Sequence, residues 1–287
     1  MLVTSFFASP DEVGELLGAA GYLADEAISD AVFFAERLSK PVLIEGPAGV
    51  GKTELAKTVA RAGGWRLIRL QCYEGLDEAR ALYEWNYKKQ LLRIQAGEDG
   101  PWSKIEEDLF TEEFLLERPL LAAIRSPARS VLLIDEVDRV EVETEALLLE
   151  VLSDFQISIP ELGTVVATHE PLVFLTSNAT RELSEALRRR CLYLHLGYPD
   201  REREEQIIRL RAPEVDPDLA RAVAKTVTII RGLELTKPPS ISESVDWART
   251  LHLLGVSELE PEVTRRTLPL LLKHQSDIDV VRRELAF

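Results

Sequence analysis

Residues 41–53 read Pro-Val-Leu-Ile-Glu-Gly-Pro-Ala-Gly-Val-Gly-Lys-Thr, an apolar run that leads into a glycine-rich loop. A helical pattern follows from Glu54 to Ala62. The order strand, loop and helix is the context in which the pattern GxxxxGK[ST] predicts a phosphate site. An ordinary Gly/Pro turn is the competing interpretation. All the fixed positions of the pattern and both flanks agree, which favours the phosphate site.

The loop has the chemistry that a phosphate group requires. Glycines let the backbone curl so that successive N–H groups point into one concavity. The start of the following helix adds its positive end. In this pattern the lysine reaches the β- and γ-phosphates and the hydroxyl residue holds Mg²⁺. The predicted nucleotide-binding residues are Gly46, Pro47, Ala48, Gly49, Val50, Gly51, Lys52 and Thr53.

The composition favours a globular protein that does not bind nucleic acid through a broad surface. The chain has 287 residues, a hydrophobic content of 46% and a formal net charge of −15. Affinity for nucleic acid comes mainly from Lys and Arg that neutralise phosphates, so an acidic balance argues against a large footprint. No stretch approaches the roughly 18 apolar residues of a membrane span, and no signal peptide is recognisable, so the cytoplasm is the expected location.

The pattern of strands and helices changes at Pro199-Asp200. Before this point apolar runs alternate with helical patterns, which predicts a parallel α/β sheet flanked by helices. After it only helical patterns occur. We therefore predict an α/β nucleotide-binding domain over residues 1–199 and a smaller all-α domain over residues 200–287. Within the first domain the patterns predict one long helix over Glu78–Gln95, a helix over Glu112–Ile124 interrupted near Pro119, and a hairpin over Gln156–Ala167.

Two acids follow the apolar run 131–134, at the point where the predicted strand ends. In open α/β sheets ligands bind at this edge. Asp135 is therefore expected to hold Mg²⁺, directly or through water, opposite Thr53. Glu136 is placed to orient and deprotonate an attacking water. An apolar strand that ends in Asp-Glu is common by itself, but it gains meaning in a chain with a complete phosphate loop.

Asn178 follows the next strong strand pattern, Leu172–Ser177. If this strand lies beside the one that ends at Asp135, the Asn178 side chain is able to hydrogen-bond the γ-phosphate or the water. A simple turn asparagine is the alternative.

Arg188, Arg189 and Arg190 precede the last predicted strand of the sheet domain. They have three interpretations: a solvated face, a basic contact for nucleic acid, or an arginine that reaches the nucleotide of a neighbouring subunit.

In this order the phosphate loop, the Asp-Glu strand, the Asn-tipped strand, the arginines and the helical tail resemble the AAA+ ATPases. The predicted hairpin, the helix placed as a helix-2 insert and the Leu-Gly-Tyr-Pro-Asp stretch at 196–200 resemble the MoxR family. The stretches closest to its CoxD-type members are residues 71–77, 82–87, 159–163 and 237–247.

The resemblance implies specific roles and partners. The loop becomes Walker A, Asp135 and Glu136 become Walker B, and Asn178 becomes sensor 1. Arg189 falls at the arginine-finger position, and Arg190 is one residue away. Related proteins form rings, usually hexamers, and often work with a von Willebrand A domain protein. CoxD-type members are linked to maturation of molybdenum-containing carbon monoxide dehydrogenase, a client metalloenzyme.

Two further positions, Ser242 and Tyr22, concern the contacts of the nucleotide outside the loop and the Asp-Glu strand. Many MoxR proteins carry a sensor-2 arginine on the helical domain, but Ser242 stands at the matching place here. Unless another cation of that domain replaces this arginine, the resemblance predicts that the domain lacks its usual direct contact with the γ-phosphate. Tyr22 precedes a helix at a position that suits an adenine wall, with a core role as the alternative.

The sequence therefore predicts an ATP-hydrolysing ring that uses ATP and Mg²⁺ to remodel a client protein. A nucleotide-gated scaffold without obligatory hydrolysis is one alternative, supported by Ser242. Another is a MoxR protein of a different branch, with a rubisco or nitric-oxide reductase client. A DNA or RNA motor is the third, against which the charge of −15 counts.

Overall fold

The computed structural model describes residues 6–96 and 109–285. Contacts between residues divide the chain into two compact units. One, here called the sheet unit, comprises Met1–Ala20, Ala24–Glu45 and Thr53–His195. The other, the helical unit, comprises Gly21–Leu23, Gly46–Lys52 and Leu196–Phe287.

A parallel sheet of five strands forms the centre of the sheet unit, in the order β2-β5-β8-β1-β9. Every residue of β5 and of β8 is buried, as expected for inner strands of a parallel sheet covered on both faces. This confirms the predicted fold class, and it places the strand that ends at Asp135 beside the one that ends at Ser177, the condition on which the expected role of Asn178 depends. The five strands are β1 Val42–Glu45, β2 Arg66–Gln71, β5 Ser130–Asp135, β8 Leu172–Ser177 and β9 Leu192–His195.

Helices that connect these strands have ends determined by local chemistry. The helix over residues 26–38 begins where the Asp25 carboxylate accepts from the Ile28 N–H at 2.9 Å, and Ser39 ends it in the left-handed region with φ 49°. The helices of this unit are α1 Pro10–Ala19, α2 Glu26–Leu38, α3 Lys52–Gly63, α4 Glu78–Ala81, α5 Tyr87–Ala96, α6 Pro119–Ile124, α7 Val142–Asp154 and α8 Glu185–Arg188.

The predicted long helix over Glu78–Gln95 is wrong. Strand β3, Tyr83–Trp85, separates α4 from α5 and pairs antiparallel with β4, Leu115–Glu117. The helix predicted over residues 112–124, interrupted near Pro119, is wrong for its first part, which contains β4, and right from Pro119 onward, where α6 lies. Tyr and Trp favour a pleated, half-buried surface, and the partner strand lies about thirty residues away in sequence, beyond the reach of a local pattern.

The predicted hairpin is confirmed. Strands β6, Gln156–Ile159, and β7, Gly163–Val166, pair antiparallel with Ile157 opposite Val165. Ile157 and Ile159 are buried while Ser158 between them is exposed, which is the alternation of a strand with one covered face.

Five α-helices follow in the helical unit. The described residues after 200 contain no strand, as the helical patterns predict. Asp200 caps the first of them by accepting from the Arg203 N–H at 2.8 Å. The core includes a fully buried Trp247, whose Nε1 donates to the Thr267 hydroxyl at 2.8 Å. The predicted division at residues 199 and 200 stays a prediction. The helices are α9 Arg201–Arg211, α10 Pro217–Arg231, α11 Ile241–Leu253, α12 Pro261–Leu271 and α13 Gln275–Glu284.

Candidate functional site

The loop between β1 and α3 has positions that only glycine can fill. A Cβ on Gly46 would lie 1.9 Å from the Leu196 carbonyl oxygen. Gly49 has φ +78°, and a Cβ there would lie 2.2 Å from the Ser240 Cβ. The Gly49 carbonyl accepts from the Ile241 N–H at 3.2 Å. The backbone of residues 46–51 therefore packs against other residues of the helical unit, to which its contacts assign it, while Ala48 and Gly49 remain exposed.

Lys52 is buried, and its side chain turns back over the loop. Its Nζ donates to the carbonyl oxygens of Gly46 at 2.6 Å and of Pro47 at 2.8 Å. The ammonium charge therefore lies directly beside the backbone that the sequence predicts to bind phosphate. A ligand with phosphate oxygens would offer this ammonium stronger, charge-assisted partners than neutral carbonyls.

Tyr22 also lies beside the loop. A Cβ on Gly51 would be 3.6 Å from the Tyr22 ring and 3.7 Å from its hydroxyl oxygen. The role of Tyr22 as an adenine wall stays a prediction.

Thr53 and Asp135 come together in the sheet unit as predicted from the sequence motifs. The Thr53 hydroxyl donates to Asp135 Oδ1 at 2.9 Å. The Thr176 hydroxyl donates to the same oxygen at 2.5 Å. Hydroxyl and carboxylate oxygens are the ligands that Mg²⁺ accepts, usually with only one or two carboxylates and with phosphate oxygens completing the shell. The donor set of Thr53 and Asp135 thus fits Mg²⁺, although no cluster of three or more His, Cys, Asp or Glu occurs in the described residues.

Sequence reasoning missed Arg69, which contacts the other oxygen of Asp135. Its Nε and Nη2 donate to Oδ2 at 3.0 and 2.5 Å. Arg69 lies on β2, two residues before the end of the strand, and β2 is the neighbour of β5. The only signal in the sequence is a charged residue near the end of a strand, which does not identify its partner.

Glu136 follows Asp135 in the left-handed region, with φ 58° and ψ 49°. Its backbone N–H donates to the Thr176 hydroxyl at 2.9 Å, which fixes the turn that leaves β5. Its carboxylate is paired with Arg139 at 2.7 Å and is one-third exposed. The turn therefore places the predicted base at the edge of the sheet with access to solvent.

Asp138 holds the segment that contains Asn178. Its Oδ2 accepts from the backbone N–H groups of Asn178 at 3.2 Å and of Thr180 at 3.0 Å, and from the Thr180 hydroxyl at 2.6 Å. Asp138 is 4% exposed, and its Oδ1 is buried without a hydrogen-bond partner among the described residues. Sequence reasoning missed this residue, which fixes the backbone of the loop after β8.

The acids at the end of β5 affect the pKa of the neighbouring Cys72 thiol. Burial raises the pKa of the Cys72 thiol to about 12, and the charges of Asp135, Asp138 and Glu136 add to the rise. Burial also raises the pKa of Asp138, but the hydrogen bonds from Thr180 and Asn178 outweigh it, so the net pKa lies below the ordinary value. Cys72 is thus held as an uncharged thiol and Asp138 as a carboxylate.

The three consecutive arginines have different environments. Arg188 pairs with Glu45 through contacts of 2.8 and 3.4 Å, and its guanidinium lies 5.5 Å from the Tyr193 ring centroid. Arg189 pairs with Glu185 at 2.8 Å, and its side chain is 78% exposed. The Nε of Arg190 donates to the Ser153 hydroxyl at 2.5 Å. Arg188 is thus anchored within the sheet unit, and the finger role of Arg189 or Arg190 stays a prediction.

The helical unit has no arginine at the sensor-2 position. Ser240 caps α11 in a capping box with Glu243, and Ser242 lies in the first turn. Arg231 of α10 does not replace this arginine, because its guanidinium is ion-paired with Glu204 and donates to the Pro239 carbonyl at 2.8 Å. The structure therefore gives Arg231 a buried structural contact.

Comparison with known proteins reveals a family match and several distant relatives. The sequence model of the AAA domain of the dynein-related subfamily matches residues 41–191. An uncharacterised protein of Staphylococcus epidermidis is 26% identical over 259 residues, which cover 86% of this chain and 90% of that protein. The gas vesicle ATPase GvpN of Haloferax mediterranei is 25% identical over 203 residues, which cover 68% of this chain and 57% of that protein.

Among solved structures, a mutant RuvB of Thermotoga maritima has a TM-score of 0.51 and 22% sequence identity, and the match covers 92% of this chain and 72% of that chain. At this identity the likeness concerns the fold alone. None of the helices in the described part of the chain has the length and apolarity needed to cross a bilayer.

Proposed function

Because the chain belongs to the dynein-related subfamily of AAA domains and is thus an AAA-domain ATPase, we propose that it is a MoxR-type chaperone that uses ATP hydrolysis to remodel a client protein. The observation that carries the proposal is the cluster of Thr53, Asp135 and Glu136 at the edge of the sheet. It combines a hydroxyl and a carboxylate for Mg²⁺ with a second carboxylate that is exposed enough to meet water.

Each residue of the proposed site has one task. The N–H groups of residues 46–51 and the Lys52 ammonium bind the phosphates. Thr53 and Asp135 hold Mg²⁺, which when bound neutralises charge on the phosphate oxygens. Glu136 orients the attacking water and takes its proton. Asn178 directs an amide toward the γ-phosphate or the water.

The test of this mechanism uses two variants and their matched controls. Lys52→Ala is expected to abolish nucleotide binding, whereas Lys57→Ala on the same helix leaves it intact. Glu136→Gln is expected to bind ATP and to lose hydrolysis by about 10²–10⁴-fold, the usual contribution of a general base. Glu143→Gln on α7 serves as its control, since Glu143 is exposed. Hydrolysis at the wild-type rate by Glu136→Gln would show that the base is wrongly assigned.

We further propose that the active form is a homo-oligomeric ring, a hexamer by resemblance, in which Arg189 or Arg190 of one subunit contacts the nucleotide of the next. The exposure of the Arg189 side chain supports this assignment. Sedimentation with and without nucleotide measures the assembly. Arg189→Ala and Arg190→Ala separate the two candidates, because loss of the finger lowers kcat without preventing ATP binding. If neither variant lowers kcat, the finger assignment is wrong.

The proposed client is a molybdenum-containing metalloenzyme of the carbon monoxide dehydrogenase type, and the proposed partner is a von Willebrand A domain protein in the cytoplasm. A rubisco or nitric-oxide reductase client defines the sister branches. Pull-down from a strain that carries tagged Glu136→Gln protein, which keeps ATP bound, identifies the client. If the pull-down recovers no molybdenum enzyme, no rubisco and no nitric-oxide reductase, the proposed client is wrong. The proposed ATPase activity would be unaffected by that result.

Ser242 at the expected sensor-2 position supports a second candidate, a nucleotide-gated scaffold that needs no hydrolysis. Client activation by a non-hydrolysable ATP analogue at the level reached with ATP favours the scaffold, whereas activation by ATP alone favours the chaperone. A role on nucleic acid is not proposed, given the charge of −15. Tight, salt-sensitive DNA binding in a filter assay would contradict that exclusion.

A further inference from the structure

Asp135 has no lone pair left for a metal ion while its present contacts persist. Oδ1 accepts from the hydroxyls of Thr53 and Thr176, and Oδ2 accepts twice from the Arg69 guanidinium. A carboxylate has about four lone-pair sites, and all four are occupied. A cation that binds Asp135 directly must therefore displace one of these donors.

Arg69 is the donor whose displacement exposes least buried polar surface, and its guanidinium also donates to the Gln71 side-chain oxygen at the edge of the sheet. Its side chain is 46% exposed while the Asp135 side chain is 4% exposed. Water is ready to solvate the guanidinium after it turns away, whereas Asp135 stays enclosed. The Thr53 hydroxyl is expected to keep its place beside Asp135, since it fits as a second Mg²⁺ ligand. A divalent ion and a guanidinium on the same carboxylate repel each other, so the two compete for Asp135.

We propose that Arg69 is a positioning residue that occupies the Mg²⁺ place on Asp135 and is displaced when Mg²⁺ arrives with the nucleotide. This inference rests on the proposed function. Before Mg²⁺ binds, Arg69 neutralises the buried negative charge of Asp135, whose hydrogen-bond partner Thr53 directly follows Lys52 of the phosphate loop in the sequence. After Mg²⁺ binds, that neutralisation is supplied by the metal and the arginine turns to solvent.

The consequence is that the affinity for nucleotide depends less on Mg²⁺ when Arg69 is present than when it is absent. When Arg69 is present, its positive charge neutralises the Asp135 carboxylate, so metal-free nucleotide is not repelled by it. Binding of nucleotide with Mg²⁺ must first break the ion pair between Arg69 and Asp135. Without Arg69, metal-free nucleotide is repelled by the bare carboxylate, while Mg²⁺ finds its ligand open. Removal of Arg69 therefore weakens metal-free binding and favours metal-dependent binding.

The experiment measures the Kd of a fluorescent, non-hydrolysable ATP analogue in EDTA and in excess Mg²⁺. The readout is the ratio of the two Kd values. We expect this ratio to be larger in Arg69→Gln than in the wild type by about tenfold, within the usual range for coupling between two ligands. Arg66→Gln is the matched control, because Arg66 is an exposed arginine of the same strand that lies opposite Ser130. Its ratio is expected to equal that of the wild type.

Arg69→Lys is the second variant, which keeps the positive charge and loses the two-point contact with Asp135. Its ratio of the two Kd values is therefore expected to fall between that of the wild type and that of Arg69→Gln. It also tests the idea if Arg69→Gln fails to fold. A ratio that is unchanged within twofold in the folded variants would overturn the role of Arg69 while leaving nucleotide binding established. A folded wild-type protein that binds no nucleotide in either buffer would instead overturn the proposed function, and the Arg69 inference with it.

Discussion

Two buried acids, one in each unit, are paired with arginines of opposite character. In the helical unit Glu204 is fully buried and the Arg231 side chain is 7% exposed. Arg231 is also covered by the Tyr198 ring, 4.5 Å from the guanidinium. In the sheet unit Asp135 is equally buried, but Arg69 is nearly half exposed. The acids are alike, so the exposure of the arginine decides whether a pair is a fixed structural contact or an exchangeable one.

The largest effect is expected from breaking the enclosed pair. Arg231→Met leaves the Glu204 charge buried without its partner, which costs about 3–5 kcal/mol in the free energy of unfolding. Urea denaturation measures the loss. The matched control is Arg221→Met on the same helix, which removes a pair with exposed Asp218 and a longer contact with Glu205 that Arg209 also pairs, at a cost of at most about 1 kcal/mol. Recovery of stability in the double variant Arg231→Met/Glu204→Leu would confirm that the unpaired charge is the cause, and an unstable double variant would contradict it.

A smaller effect is expected at Asp138, a buried acid that accepts hydrogen bonds from the loop after β8 through one of its two oxygens. Asp138→Ala removes the acceptor of three donors in the loop after β8, at a cost of about 1–3 kcal/mol. If Asn178 acts on the nucleotide, kcat falls as well. The exposed Asp154→Ala is the control for stability. Unchanged unfolding and unchanged kcat together would show that Asp138 does not position this loop.

The same residue predicts a dependence on pH. The pKa of Asp138 is lowered in the folded protein, because hydrogen bonds outweigh burial. Its contribution is therefore fully present above the unfolded pKa of about 3.9 and is lost as the pH falls through the lower folded pKa. The free energy of unfolding of the wild type should drop more steeply below about pH 4 than that of Asp138→Asn. Parallel pH profiles would contradict the assignment.

The smallest effect on stability is expected at the exchangeable pair. Arg69→Gln should change the free energy of unfolding by less than about 1 kcal/mol, because the arginine is half exposed and two hydroxyls still donate to Asp135. The same urea titration measures it. A loss as large as that of Arg231→Met would erase the contrast between the two pairs and make Arg69 a structural residue.

The sequence was sufficient where signals are local or repeat a fixed motif. The phosphate loop stands between a buried strand and a helix, and the acids at 135 and 136 stand at a strand end, so both were predicted. Continuous apolar runs also predict that β5 and β8 are inner parallel strands, but they do not give the order of the strands, so the neighbouring position of the two is known only from the structure.

The contacts of Arg69 and the split of the segment 78–95 were beyond local patterns. Both depend on which strand pairs with which: β2 with β5 in one case, β3 with β4 in the other. The register of a distant partner decides them, and residues such as Tyr83 and Trp85 fit a helix period and a strand equally well until that partner is known.

Glu136 adopts a left-handed backbone that a non-glycine residue reaches only at a cost of about 1–2 kcal/mol. Glycine at this position would relieve the strain and remove the proposed base in the same step. A mutant library selected for thermostability alone should therefore enrich glycine or asparagine at position 136 and return proteins that survive heating but no longer turn over ATP. Selection for hydrolysis would have to oppose that drift to retain the glutamate.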